Sequence, residues 1–493
     1  MPHIRTVTDS PTPPTWRRIV ASPAVPVALL ALFAAVIILT INRFSIWIDE
    51  SGSLLITGSD SYANIARRVT VDAHPPLWYW VLKPWLQVFG INIIASRAQS
   101  ALFMISGVAI WYHFIKSRFS RDLGLLSLAL MVSNPMIIHY AIEGRMYALS
   151  ILLVAISCVL VTGRWRWRWY AYWPCAVAML YTHYFLVFPI AAQFMFLLLR
   201  RDQQGLSLSW IVVYGASIIV GFAPWLPIAY AQTKMTVNDW FWIGPISPNT
   251  VFSYVLSTFV HRYNQDLTAF RVFPALLYLA AWATAMINAA RAKGGPYALL
   301  WLLVAIPWVC LFLLSSGIMP VFDPRYVLFS LPALITLLAA GVLASPSRWR
   351  WLVVAVLVAG HLLGIQMLRY RGFTDRRGYY AMKKIAKEVS LPVDGELPWV
   401  ATDWVFTFSD ARAVLDPEQH VVWLRDHVPQ LARVDLLLYD RPDWYVRSLS
   451  DIPAHHVWTL ENPDARMAVP ANWKLIVSHR RGYAMTRLYE ITR

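Results

Sequence analysis

Apolar runs of near twenty residues recur from Ala24 to Leu368, separated by short polar breaks. A helix of that length rises about 30 Å, the thickness of a bilayer's hydrocarbon core. The pattern predicts a polytopic all-α membrane protein of about eleven transmembrane helices. The expected spans are 24–42, 97–115, 123–140, 145–163, 169–182, a sixth ending at Arg200-Arg201, 208–228, 270–290, 298–316, 326–343 and 351–368. The run Pro75 to Phe89 is apolar but short, and Lys83 and Pro84 interrupt it, so it predicts an interfacial or re-entrant helix. Between residues 49 and 75, Leu54, Leu55, Tyr62, Ile65 and Ala66 allow an amphipathic helix along the membrane surface.

The pattern changes at about residue 370. Segment 370–493 is rich in charge and holds short β-type runs at Trp399-Val400-Ala401, Val421-Val422-Trp423-Leu424 and Leu436-Leu437-Leu438-Tyr439, preceded by a helical stretch from Gly378 to Val389. It reads as a small soluble α/β domain with its own core. Residues 1–23 form a short basic tail, and 24–369 a transmembrane domain with a first external loop at 49–96.

Charge orients this scheme. The net charge is +16, and only 14% of residues are charged against 58% apolar. The basic residues sit in small clusters between apolar runs, which is the orientation signal of membrane helices and not a nucleic-acid surface. Arg5, Arg17 and Arg18 place the N-terminus in the cytoplasm, and Lys116, Arg118, Arg121 and the run Arg164-Trp165-Arg166-Trp167-Arg168 mark later cytoplasmic turns. Eleven crossings put the C-terminal domain outside, in a multi-pass protein of the plasma (inner) membrane. Cys158, Cys175 and Cys310 all lie inside apolar runs without disulfide or metal-ligand spacing.

On this topology the unusual polar groups gather at one face: Asp49, Glu50, Asp72, His74, Glu143, Arg145, His183, Asp323 and Arg325. Adjacent carboxylates at Asp49-Glu50, where the first span ends, are costly unless water, a cation or a substrate meets them. A carboxylate can take a proton from an attacking hydroxyl, and arginines can hold a phosphate bidentately. Each residue also has a plainer reading. The two acids suit a helix's first turn, His74 precedes a helix start at Pro75-Pro76, and Glu143 and Arg145 can form a local ion pair. His183 fits an aromatic belt, and Arg325 can snorkel to headgroups. Asp49, His74 and Glu143 offer ligand types for a divalent metal, without local ligand spacing, so no cofactor is assigned. A lipid or glycan flippase is the rival class; it would place charges near mid-membrane on broken helices with paired repeats.

Several segments, in order, are similar to the polytopic GT-C glycosyltransferases that use polyprenyl-phosphate sugars. The branch is that of protein O-mannosyltransferases and lipid A aminoarabinose transferases. The residues are Asp49-Glu50, His74-Pro75-Pro76-Leu77, Ser96-Arg97, the stretch Tyr140 to Leu149, Thr182-His183-Tyr184-Phe185, and Pro324-Arg325-Tyr326 with Pro332. Gly144 stands where many relatives have alanine, a small-for-small exchange. The resemblance implies a polyprenyl-phosphate sugar as donor and a hydroxyl on a lipid, glycan or protein as acceptor. It implies Asp49 as catalytic base with Glu50 as its positioning partner, and Arg145 and Arg325 on the departing phosphate. His74, Glu143, Tyr147, His183 and Tyr326 then line the substrate pocket.

Overall fold

The computed structural model describes residues 22–43, 46, 48–58, 61–70, 72–239, 246, 269–290, 295–317, 319–374, 385 and 388–402, and parts of 415–492. The chain is mostly helical up to residue 374, with a mixed sheet after it. In order, the helices are α1 (Ala24–Thr40), α2 (Ile48–Thr57), α3 (Tyr62–Val69), α4 (Leu77–Phe89), α5 (Ile93–Arg118), α6 (Arg121–Ser133), α7 (Pro135–Ala141), α8 (Tyr147–Thr162), α9 (Arg168–Thr182), α10 (Val187–Leu199), α11 (Leu208–Phe222), α12 (Leu226–Asp239), α13 (Ala269–Ala289), α14 (Gly295–Gly317), α15 (Leu331–Ala344) and α16 (Ser347–Thr374).

Helix lies along each expected span, but fewer than the expected eleven have the length and composition of a crossing. Among the described residues, five helices are long and apolar enough to cross a membrane: Ile93–Arg118, Leu208–Lys234, Pro296–Gly317, Pro324–Ala344 and Arg348–Gln366. The pair α6 and α7, bent by 64°, makes a sixth if it is one broken span. Ala24–Thr40 and Tyr147–Thr162 are apolar but shorter. Helix α4 has 13 residues with Pro84 inside, in keeping with a segment too short to cross.

Two local features depart from the sequence pattern. The loop after α1 holds two short helices, α2 and α3, and they pack inward: Leu54 and Ile65 are buried, and the fully buried Arg68 donates to Leu55 O at 2.6 Å, tying one helix to the other. An amphipathic periodicity cannot distinguish burial against protein from burial against lipid. The expected third span is broken at Asn134-Pro135. Proline cannot donate to the preceding turn, and the Asn134 side chain instead caps the new helix, accepting from Met136 N and Ile137 N at 2.9 and 3.2 Å. Ser133 Oγ lies 2.9 Å from Nδ1 of His361, a buried residue of α16, which gives the break a polar partner.

Elsewhere the helices are joined by apolar packing and a few buried hydrogen bonds, as expected where no hydrophobic drive separates helix from lipid. Trp111 Nε1 donates to Thr336 Oγ1 at 2.9 Å, Gln193 Nε2 to Ser157 Oγ at 2.7 Å, and Tyr172 Oη to Gln193 Oε1 at 2.6 Å.

After residue 374 the strands are β1 (Trp399–Thr402), β2 (Val421–Leu424), β3 (Tyr445–Val446), β4 (His456–Glu461), β5 (Trp473–Arg481) and β6 (Ala484–Ile491). They form one six-stranded sheet ordered β3-β2-β1-β4-β6-β5. The first four strands in that order run parallel and β6 and β5 pair antiparallel at one edge. Val422, Val457, Trp473 and Tyr489 are among its core residues. The expected runs at 399–401 and 421–424 are strands; the stretch 436–439, most of 378–389, the loop 240–268 except Ile246, and the basic tail lie outside the described residues.

At Gly341 two helices pack backbone against backbone. A Cβ there would lie 1.7 Å from the backbone oxygen of Ala285 in α13. Gly341→Ala therefore forces α15 away from α13, an overpacking cost of about 1–3 kcal/mol. Heating the purified protein and following monodisperse protein by size exclusion should show an earlier transition than wild type, by several degrees; an unchanged transition would contradict this contact.

Candidate functional site

The site starts from a buried ion pair. Asp49 and Glu50 occupy the first turn of α2, where acids suit the helix dipole. Consecutive helical residues point about 100° apart, and these two acids meet different surroundings. Glu50 is 1% exposed and Asp49 31%. Both Glu50 oxygens are taken by Arg97, with Nε to Oε1 at 2.8 Å and Nη2 to Oε2 at 2.6 Å. Arg97 Nη1 also donates to Ile41 O at 3.0 Å, and Gly144 N donates to Glu50 Oε1 at 2.8 Å. One bidentate pair thus joins the end of α1, the start of α2, the first turn of α5 and the turn after α7.

That turn presents Arg145. The backbone closes tightly, with Arg145 N donating to Glu143 O at 2.8 Å. Arg145 Nη1 then donates to Asp49 O at 3.1 Å, Ser53 Oγ at 3.0 Å and Tyr79 Oη at 3.3 Å. Its Nη2 lies 3.2 Å from His74 Nδ1, which is also 3.4 Å from Asp72 Oδ1. Tyr79 donates its hydroxyl to Asp72. Burial, and then Asp72, push the Tyr79 phenol well above its ordinary pKa, so it is a donor. Burial alone would raise Asp72; the His74 ring, Arg145 and the Tyr79 hydroxyl outweigh it and hold the carboxyl below the usual range.

Arg325 enters from the other end of the chain. Asp323 caps a 3₁₀ turn, accepting from Arg325 N at 2.9 Å, and the same oxygen accepts from Arg325 Nε at 3.0 Å. So fixed, Arg325 Nη1 reaches to 3.7 Å from Asp49 Oδ2. The aromatic wall follows: His183 lies 5.4 Å from His74, 5.6 Å from Tyr326 and 6.1 Å from Tyr147, centroid to centroid. His183 Nδ1 accepts from Phe185 N at 3.2 Å, which leaves the proton on Nε2, a buried atom without a partner among the described residues. Burial first, then His74 and Arg145, hold this ring well below its ordinary pKa, so it is neutral near pH 7.

The structure thus brings Asp49, His74, Arg145, Tyr147, His183, Arg325 and Tyr326 into one connected set. Glu50 stands behind it, with both oxygens engaged. Glu143 turns elsewhere. Its Oε2 lies 3.1 Å from His139 Nε2, one helical turn back, and its Oε1 is buried without a partner. The local Glu143–Arg145 pair is therefore not formed, because the tight turn sends the two side chains apart. Among the described residues no three His, Cys, Asp or Glu side chains gather in a ligand-like group. Ser53, Asp72, Tyr79, Arg97 and Asp323 hold the set in place. Asp72 and Asp323 were visible as acids at the same face, whereas Tyr79 lay hidden in an apolar run.

Gly144 is not interchangeable with alanine in this chain. A Cβ would lie 2.5 Å from Ser96 Oγ, 3.2 Å from Ser96 Cβ and 3.5 Å from Glu50 Oε1. Gly144→Ala should displace Ser96, the neighbour of Arg97 on α5, and lower both thermal stability and activity. Ser96→Ala removes the worst contact, so the double variant should recover part of both, as a double-mutant cycle would show. Additive losses would mean that the two residues do not meet.

Residues 73–228 match the dolichyl-phosphate-mannose-protein mannosyltransferase family. No curated protein matches the sequence. The fold is similar to crystal structures of ArnT from Cupriavidus metallidurans, one bound to undecaprenyl phosphate and one in the apo state. Each is 14% identical with a TM-score of 0.58, covering 94% of this chain and 97% of that one. The Archaeoglobus fulgidus oligosaccharyltransferase is more distant, at 10% identity and a TM-score of 0.46 over 88% of this chain and 68% of that one. The chain therefore resembles the GT-C glycosyltransferases in sequence over residues 73–228 and shares the fold of ArnT over nearly its whole length.

Proposed function

We propose that this protein is a membrane glycosyltransferase that moves a sugar from a polyprenyl-phosphate donor to a hydroxyl of a lipid, glycan or protein. The observation that carries the reading is Asp49, a partly exposed carboxylate with Arg325 at 3.7 Å and Arg145 on its own backbone oxygen at 3.1 Å. General base and anion-holding groups, drawn from distant parts of the chain, stand side by side there. The ArnT structure with bound undecaprenyl phosphate supports a lipid-phosphate donor. The proposed orientation puts this face and the C-terminal domain, 370–493, outside the plasma membrane, with the basic tail in the cytoplasm.

In the proposed step the acceptor oxygen attacks the anomeric carbon as its proton passes to Asp49. The bond from that carbon to the phosphate oxygen breaks, and its electron pair leaves with the phosphate. The sugar carbon passes through an oxocarbenium-like state. Charge grows on the departing phosphate, and preorganised donors are most effective where charge develops. Arg145 suits this task because its guanidinium is already held by Asp49 O, Ser53 and Tyr79. Arg325, clamped by Asp323 and 3.7 Å from Asp49, is the second cation beside the base. The Nε2 of His183 and the hydroxyls of Tyr147 and Tyr326 are the donors for the sugar.

Asp49→Asn keeps the shape and removes the base. Transfer from a radiolabelled polyprenyl-phosphate sugar in purified membranes should fall by about 10²–10⁴, and a rate near wild type would refute the role of Asp49. A flippase would still translocate lipid in that variant. Arg145→Lys keeps the charge but loses the fork. Turnover should drop about tenfold or more while the melting temperature, measured alongside, separates this from loss of the scaffold contacts; full turnover would exclude bidentate phosphate holding.

A further inference from the structure

Two helices that bear the candidate site at one end bear a second charged cluster at the other. Helix α5 carries Ser96 and Arg97 in its first turn and ends at Lys116, Ser117 and Arg118. Helix α8 starts at Tyr147 and ends at Thr162, followed by the turn Gly163 to Trp167 that leads into α9. From Arg97 to Arg118 is about 32 Å of helix at 1.5 Å per residue, close to the hydrocarbon thickness of a bilayer. The two ends therefore stand at opposite membrane surfaces.

The far end gathers guanidinium groups: Arg118 ends α5, Arg164 lies on the turn that follows α8, Arg168 starts α9, and α5 and α8 pack along each other. Arg118 is within electrostatic reach of Arg164 and of Arg168. Arg168 is 7% exposed, and Gln204 Oε1, at 2.9 Å from its Nη2, accepts one hydrogen bond. Among the described residues no carboxylate pairs with any of these three; the neighbouring Asp202 is 92% exposed and turned to Arg201. Like charges gathered at one end of a bundle favour an anion as their neighbour.

The turn around them is built, not loose. A Cβ at Gly163 would lie 2.4 Å from the Trp165 ring, so the absence of a side chain lets that indole fold back on the turn. Arg166 stacks on Trp167 at 4.9 Å and Arg168 on Trp169 at 4.4 Å. Trp165, Trp167 and Tyr170 are 45%, 61% and 75% exposed. Indoles and phenols beside arginines, where apolar helices end, match the headgroup level of a bilayer.

We propose that Arg118, Arg164 and Arg168 form a binding site for the phosphodiester headgroup of an anionic phospholipid, in the leaflet opposite the candidate active site. The arginines take the phosphate, and the exposed Trp165 and Trp167 sit beside the upper acyl chain and glycerol. A soluble phosphate would use the charges but leave the indoles without a partner, which favours a lipid. Basic pockets between membrane helices hold acidic headgroups by these same forces.

The full-length protein, purified in detergent, can be exposed to phosphatidylglycerol or phosphatidylcholine and read by native mass spectrometry. Phosphatidylglycerol should be retained preferentially, by about tenfold. Arg118→Gln/Arg164→Gln/Arg168→Gln should abolish the preference. Arg168 is buried, so that variant can fail to fold; the milder Arg118→Gln/Arg164→Gln should still reduce retention severalfold with an unchanged melting temperature in the absence of lipid. Arg145→Lys, at the other membrane surface, should retain phosphatidylglycerol as wild type does. Equal retention of the two lipids, undiminished retention in a folded Arg118→Gln/Arg164→Gln variant, loss in Arg145→Lys, or displacement by millimolar inorganic phosphate would each overturn the proposal.

Discussion

The Glu50–Arg97 ion pair holds the candidate site together. Both side chains are almost fully buried, and two short hydrogen bonds join them. In low dielectric an isolated charge is very unfavourable, and even a paired one recovers its desolvation cost only with good geometry and further hydrogen bonds. Those are present: Gly144 N completes the carboxylate and Ile41 O takes part of the guanidinium. Separating the partners would leave one buried charge uncompensated, at a cost of about 3–5 kcal/mol. The pair is thus an orienting device more than a source of net stability. It fixes where α2 begins relative to α5 and where the turn at Gly144 sits, and so where Asp49 and Arg145 point.

A division of labour between two adjacent acids follows. Glu50 is consumed by structure, and Asp49, one residue earlier, retains 31% exposure. The same division recurs among the arginines. Arg97 and Arg68 are wholly internal, while Arg145 and Arg325 are held by side contacts and present the remainder of the guanidinium to the set of Asp49, His74 and His183. Asp323 and Asp72 serve as holders, one clamping Arg325 and the other engaging Tyr79 and His74. In the proposed reaction the cations must not collapse onto the base, and clamping each guanidinium from behind achieves that.

Helices α5 and α8 join the ion-pair end of the bundle to the end that bears Arg118, Arg164 and Trp165, so the candidate site and that cluster share the same rigid elements. Breaks in regular structure fall near the site end. The bend at Asn134-Pro135 precedes the turn bearing Glu143, Gly144 and Arg145, and a 3₁₀ turn bears Arg325. Irregular backbone at membrane depth must be satisfied by other protein groups, which Asn134, Ser133 and His361 do at the bend.

The sequence by itself determined the membrane class, the position of nearly every helix, the strands at 399–401 and 421–424, and most of the acids and arginines that the structure brings together. Apolar run length and charge clusters report those directly, because lipid selects for composition along a segment. Tertiary structure alone decided which acid stays partly exposed. Asp49 and Glu50 are adjacent and chemically alike, and only the approach of Arg97, a residue of another helix, distinguishes them. It also decided that Glu143 faces His139 and not Arg145, that Tyr79 is a polar member of an apolar helix, and that Gly144 cannot become alanine while Ser96 stands opposite. These are contacts between distant segments at ångström tolerance. Periodicity describes which face of one helix is buried but not which atom of another will meet it.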